Sequence, residues 1–175
     1  GLERYLAAFA QEDNGPMPPH RRPGSGEMRI IEAKPSREFY ECAEPKAMRL
    51  RLKRQQPFIG RFFISVHFVD SSGVVLLQCD SRLRGKWFEA EDEMVVEFLF
   101  QTPWLKPGTY RVDIFLCAAG YIDQCEQACT LEVLPLLPYE GAAGSESTAT
   151  GMVFADFSFQ AVSSPAPSPS ASISP

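Results

Sequence analysis

The sequence predicts an all-β fold, an antiparallel β-sandwich, on three observations. Segments that alternate apolar with polar residues recur through the middle of the chain. Turn residues separate them at short intervals. No helical pattern long enough to bridge parallel strands interrupts them. The clearest case is Leu105-Lys106-Pro107-Gly108-Thr109-Tyr110-Arg111-Val112-Asp113-Ile114. Pro107 fixes φ and Gly108 tolerates positive φ, so the pair reverses the chain. Beyond it Tyr110, Val112, Ile114 and Leu116 point one way, and Arg111, Asp113, Phe115 and Cys117 the other.

In chain order, Leu2, Tyr5, Leu6 and Phe9 fall at i, i+3, i+4 and i+7, one stripe of a short amphipathic helix within residues 1–13. Such a helix is too short to stand alone and needs a partner surface. Residues 14–26 hold Pro16, Pro18, Pro19, Pro23 and three glycines, the composition of an extended linker. The sandwich occupies 27–162. Its expected strands are 28–33, 37–41, 47–53, 61–69, 74–80, 94–101, 109–116, 129–134 and 152–160. Between the last two, 135–150 is rich in Gly, Ala, Ser and Thr and reads as a flexible connector. The closing strand carries Phe154, Phe157 and Phe159 and cannot stay exposed. It either docks on its own domain or exchanges with a second copy, a layout that a long connector favours. Residues 163–175 form a Ser/Pro tail with no core-forming side chains, expected to be disordered.

Composition narrows the function classes. The chain has 175 residues, 45% hydrophobic, enough for one core plus tails. A net charge of −5 argues against nucleic acid as a partner. No apolar run approaches the roughly 20 residues that span a bilayer. The start at Gly1 suggests a piece of a longer protein. Cys42, Cys79, Cys117, Cys125 and Cys129 are odd in number and do not read as a disulfide framework. Cys79 lies within an apolar alternation and reads as a small buried hydrophobe. Cys125 and Cys129 lie four apart without a nearby histidine, so no metal and no cofactor is expected, and the thiols suit a reducing compartment.

The face that can bind is read from Arg61–Val69. Phe62, Ile64, Val66 and Phe68 form the core side; Arg61, Phe63, Ser65 and His67 form the other. Asp70-Ser71-Ser72-Gly73 then turns the chain. A two-residue hairpin loop sets Val66 opposite Leu77, Ile64 opposite Cys79, Ser65 opposite Gln78 and Phe63 opposite Asp80. A glycine bulge at Gly73 would shift this by one and swap the faces of the second strand. If the strand after Gly108 joins the same sheet, its outer face carries Arg61, Phe63, Ser65, His67, Gln78, Arg111, Asp113 and Phe115. Rings stack on sugar C–H faces, and planar polar groups pair with hydroxyls. An anionic sugar would add a demand for arginine. The plain alternative is a solvated sheet face, with Phe63 and Phe115 covered by the amino-terminal helix or by a partner.

Other clusters are weaker. Arg49, Arg51, Lys53 and Arg54 read as a basic outer stripe that discourages edge pairing, or as an anion site. Residues 82–93 read as a charged loop anchored by Trp87 or Phe88, with Trp87 as an alternative stacking platform. Trp104 reads as a lid on the core. An enzyme is hard to assemble here. His20 and His67 are the only histidines, and no nucleophile elbow, HExxH or phosphate-cradling loop occurs.

Gly24-Ser25-Gly26-Glu27-Met28-Arg29-Ile30, Val66-His67-Phe68-Val69-Asp70-Ser71-Ser72-Gly73, Leu105-Lys106-Pro107-Gly108-Thr109-Tyr110 and Gly151-Met152-Val153-Phe154, in this order and spacing, resemble the carboxy-terminal domain of Wzt. Wzt is the ATP-binding subunit of ABC transporters that export lipopolysaccharide O-antigen. The resemblance spans about residues 24–162. It implies an immunoglobulin-like, jelly-roll-like sandwich and a non-catalytic role in recognising O-antigen polysaccharide at its modified non-reducing end. It further implies a homodimer through the last strand, an upstream nucleotide-binding domain, a membrane permease partner, and a cytoplasmic location at the inner face of the inner membrane. The eight outer-face residues come from the alternation, not from a family motif. The 82–93 loop and the Ser/Pro tail depart from many relatives. The competing expectation is a protein-interaction sandwich without glycan binding.

Overall fold

The alternation read from the sequence becomes two facing sheets. The computed structural model describes residues 15–141 and 144–163; the expected amino-terminal helix and nearly all of the tail lie outside these. Among the described residues there are eleven strands: β1 Met28–Pro35, β2 Phe39–Tyr40, β3 Lys46–Arg54, β4 Arg61–Val69, β5 Val75–Asp80, β6 Phe88–Glu89, β7 Glu93–Phe100, β8 Trp104–Leu105, β9 Gly108–Cys117, β10 Tyr121–Val133 and β11 Val153–Phe154. One sheet runs β1-β3-β7 and the other β2-β10-β9-β4-β5, with β6 paired to the start of β4. All pairings are antiparallel except β2 with β10. The all-β expectation holds.

The core lies between the sheets. Met48, Leu50 and Leu52 of β3 face Phe62, Ile64, Val66 and Phe68 of β4 and Val112, Ile114 and Leu116 of β9, all buried in one cluster. Each such side chain contributes about 1.5–3 kcal/mol on burial. Arg49, Arg51 and Lys53 alternate outward. Arg49 pairs with Glu97 at 2.8 Å and Arg51 with Glu32 at 3.9 Å, exposed contacts worth about 0–1 kcal/mol each. The stripe is therefore a solvated sheet face on which Arg49 and Arg51 have acidic neighbours. Phe88 packs on Phe62, with centroids 5.7 Å apart, and anchors the loop before β7.

Four local expectations are corrected. The β4–β5 register differs by two residues: Val66 faces Cys79, Ser65 faces Asp80, His67 faces Gln78 and Phe68 faces Leu77. Two one-residue irregularities add up. Gly73, at φ +85°, closes a three-residue loop in which Asp70 N–H donates to Val74 O. Leu76 is then extra between Val75 and Leu77. One shift alone would have turned β5 over; two restore the expected faces.

The strand expected at 129–134 begins at Tyr121, because an Ala118-Ala119-Gly120 turn folds it directly onto β9. Two irregularities interrupt it, and Gln127 sits at φ +52° in the second.

The segment expected to be a linker is pinned. Arg22 is buried and donates from Nε and Nη2 to Asp123 at 2.9 and 2.8 Å. Arg29 adds Nη1 at 2.9 Å, and Ile30 its backbone N–H at 2.8 Å. Asp123 thus accepts four donors in full burial, which ties 22–30 to β10.

The last strand is short. Only Val153–Phe154 pair, with Leu105 and Trp104. Phe157 and Phe159 stand exposed, Phe159 at 93%. The preceding connector is held in part, since Lys106 Nζ donates to Thr148 O at 2.6 Å.

Candidate functional site

The outward residues of three neighbouring strands form the floor of a cavity on the larger sheet. Antiparallel pairing sets them in cross-strand rows. Gln78, His67 and Asp113 form one row, and Asp80, Ser65 and Phe115 the next; Phe63 and Cys117 form a third. Period-two alternation aligns these side chains on one face because the β4 and β9 segments are regular here. The cavity holds about 350 Å³. Its lining also includes the turn Ala118–Tyr121 and Arg82, after β5.

Geometry inside the cavity is aromatic and amide-like. The His67 ring lies 4.8 Å from Phe115, and Phe115 lies 5.9 Å from Tyr121. His67 Nε2 and Ser65 Oγ are 3.1 Å apart, and Gln78 Nε2 donates to Ser65 Oγ at 3.4 Å. Burial pushes the His67 imidazole below its ordinary value of 6.5, with Asp113 and Asp80 opposing. At neutral pH it therefore offers one donor and one acceptor rather than a charge.

The charged groups are self-paired. Asp80 Oδ1 accepts from Arg82 N at 2.9 Å and Nε at 3.0 Å, and Oδ2 from Nη2 at 2.8 Å. Arg82 holds the Asp80 carboxyl below its ordinary range. The guanidinium lies 3.6 Å above the Phe63 ring, and Trp87 meets that ring edge-on at 5.4 Å. On the neighbouring strand Arg111 makes the same two-pronged contact with Asp113, at 3.0 and 2.9 Å. Gln127 N–H in the β10 bulge also donates to Asp113, at 2.8 Å.

A family model described as the Wzt C-terminal domain matches residues 19–154. This chain belongs to the Wzt C-terminal domain family. The crystal structure of the C-terminal domain of Wzt superposes with a TM-score of 0.65 at 15% identity, covering 86% of this chain and 93% of that one. The identity is low enough that this likeness speaks for the fold alone. A β-glucosidase from Listeria innocua in complex with glucose reaches a TM-score of 0.37 at 16% identity over 59% of this chain and 16% of that one. A β-glucuronidase from glycoside hydrolase family 2 reaches 0.41 at 14% over 59% and 11%. Neither score informs the site. No curated protein matches. Membership in the Wzt C-terminal domain family makes the chain a non-catalytic domain of an O-antigen ABC transporter, whose nucleotide-binding subunit works at the cytoplasmic side of the inner membrane. No helix among the described residues is long and apolar enough to cross a membrane.

On this Wzt-type sandwich, five of the eight expected residues line the cavity: Phe63, Ser65, His67, Gln78 and Phe115. Arg111 and Asp113 share the face but lie beside the cavity, bonded to each other. Arg61 sits at the start of β4, its guanidinium 5.6 Å over Trp87. The expectation that Phe63 lies exposed is corrected: it is 8% exposed, roofed by Arg82 and Trp87. Trp104 is half-buried against the core and contacts Tyr139 at 6.0 Å, in keeping with a lid. Sequence reasoning missed Asp80, Arg82 and the Cys117–Tyr121 turn. Asp80 and Arg82 at i, i+2 repeat the spacing of Arg111 and Asp113, a signal that was readable. The turn was hidden because β10 starts eight residues before its expected boundary.

Proposed function

We propose that the domain is a glycan-recognition module, and that it binds the non-reducing end of an O-antigen polysaccharide in the cavity of the larger sheet before export. One observation carries this reading: a concave site in which rings and uncharged hydrogen-bonding groups converge, on the sheet face opposite the core. Its volume is at the low end for ligand sites and suits a terminal unit rather than a long run of polymer. The test is retention of the producing strain's O-polysaccharide on the immobilised domain. Gln78→Ala and His67→Ala are expected to lower retention about tenfold or more; for the exposed Gln78, stability should stay within about 0.5 kcal/mol. A wild-type domain that fails to retain that polymer overturns the reading.

The same reading places the domain beside an upstream nucleotide-binding domain and a permease, as a homodimer that exchanges its closing segment. Phe157, Phe159 and Val162 support the exchange, since all three are solvent-exposed in one copy. So does β7, which among the described residues pairs only with β3 and leaves Val95 and Leu99 outward. Sedimentation of the full chain against a chain ending at Leu137 tests this: the full chain should run as a dimer and the shortened one as a monomer. A monomeric full chain rejects it.

A further inference from the structure

Resting on the glycan reading, we propose that the cavity selects an uncharged sugar end and discriminates against sugars that carry a carboxylate. Among the residues lining it, only Asp80 and Arg82 bear full charges at neutral pH. They sum to zero and are bonded to each other. The Nε–Nη2 fork of Arg82, one of the edges that grips a carboxylate in two parallel bonds, is occupied by Asp80. One flat face of the same guanidinium lies on Phe63. An incoming carboxylate would have to displace Asp80 from Arg82 or sit near its negative charge, and both oppose binding.

The other cations of this face give no relief. Arg111 presents the equivalent fork to Asp113, and Arg61 stands over Trp87 outside the lining. The groups left for a ligand are the Ser65 hydroxyl, the Gln78 amide, the His67 ring, the Tyr121 phenol and the ring faces of Phe115 and Tyr121. The titratable groups around His67 are Asp80 on β5 and Asp113 on β9, both held by arginines. Such a lining matches sugar hydroxyls and C–H faces. Negative charge on the ligand meets in it a single cation, whose Nε–Nη2 edge is already bonded to a carboxylate.

The experiment uses the wild-type chain and matched probes that differ only at C6: the methyl glycosides of glucose, galactose and mannose, each against the methyl glycoside of its own uronic acid. Binding is followed at pH 7 by saturation-transfer NMR and by shifts of the His67 ring protons. In each pair that binds, the neutral member should bind about tenfold more tightly than the acid. Asp80→Asn keeps an acceptor for the Arg82 backbone and frees its guanidinium, so the ratio should move about tenfold toward the acid. Equal or tighter binding of the acids by the wild type overturns the selectivity and leaves the glycan reading standing, as does an Asp80→Asn ratio that does not move. No shift at His67 with any of the six probes at millimolar concentration overturns the reading and the selectivity together.

Discussion

Replacing Asp123 by Asn tests what holds the amino-terminal segment to the sandwich. Asp123 is fully buried, with a side-chain exposure of 0%, against 2% for Arg22 and 10% for Arg29. Its two oxygens accept from Arg22 Nε and Nη2, from Arg29 Nη1 and from Ile30 N–H. An amide supplies one acceptor oxygen and turns an NH2 group toward the remaining donors. Two guanidinium charges then lose their counter-ion in a site that water does not reach. Breaking a buried pair from one side costs about 3–5 kcal/mol. With a guanidinium m-value of roughly 4 kcal/mol/M for a domain of this size, the unfolding midpoint falls by about 1 M. The assay is guanidinium unfolding followed by the fluorescence of Trp87 and Trp104, with Arg49→Ala as the exposed-pair control, expected to cost under about 1 kcal/mol. If Asp123→Asn shifts the midpoint no more than Arg49→Ala does, the network does not stabilise the fold and the reasoning fails.

Three further outcomes follow from single positions. Gly24 sits at φ +118°, and a Cβ there would collide with Ile122 O, a backbone atom that cannot step aside, so Gly24→Ala should destabilise by more than about 1 kcal/mol; hydrogen exchange should localise the loosening to residues 22–30 and Ile122–Asp123, and unchanged protection there would count against it. Burial lowers the His67 pKa below 6.5, so its neutral form favours the folded state: this contribution is complete above pH 6.5 and is lost as pH falls through the folded value, and His67→Gln should flatten the stability curve below pH 6.5. Burial pushes the Cys125 thiol up to about 11 and the Cys129 thiol to about 12, so both should resist iodoacetamide at pH 8 in the native protein and react once it is unfolded; prompt native labelling of either by mass spectrometry would contradict that packing.

The strands at the centre of the sheets were legible because their alternation is uninterrupted. Arg61–Val69 has the same limits in sequence and in structure, and its two faces divide as the residue types require. Elements with irregularities were read less well. Tyr121–Val133 breaks its period twice, by one residue after Tyr121, which changes the parity of the inner face, and by two between Cys125 and Cys129, which leaves it unchanged, so its first eight residues looked like loop. The β4–β5 hairpin shows the opposite case: its loop and register were misjudged, yet the side chains kept their expected faces because the two shifts cancel. Arg22 looked like one charge in a Pro/Gly linker; only its partner, 101 residues away, makes it part of the core.

Local alternation was enough to establish the sandwich, to separate inward from outward residues, and to nominate Phe63, Ser65, His67, Gln78 and Phe115 as neighbours, since parity along a strand is a property of the backbone. Long-range pairing decided the rest. The alignment of β4 with β9 and the turn into β10 shape the cavity, and the seating of Arg82 on Asp80 and Phe63 occupies its Nε–Nη2 edge and one ring-stacked face. Which arginine is free and which is already bonded depends on distances between side chains that strand periodicity does not encode.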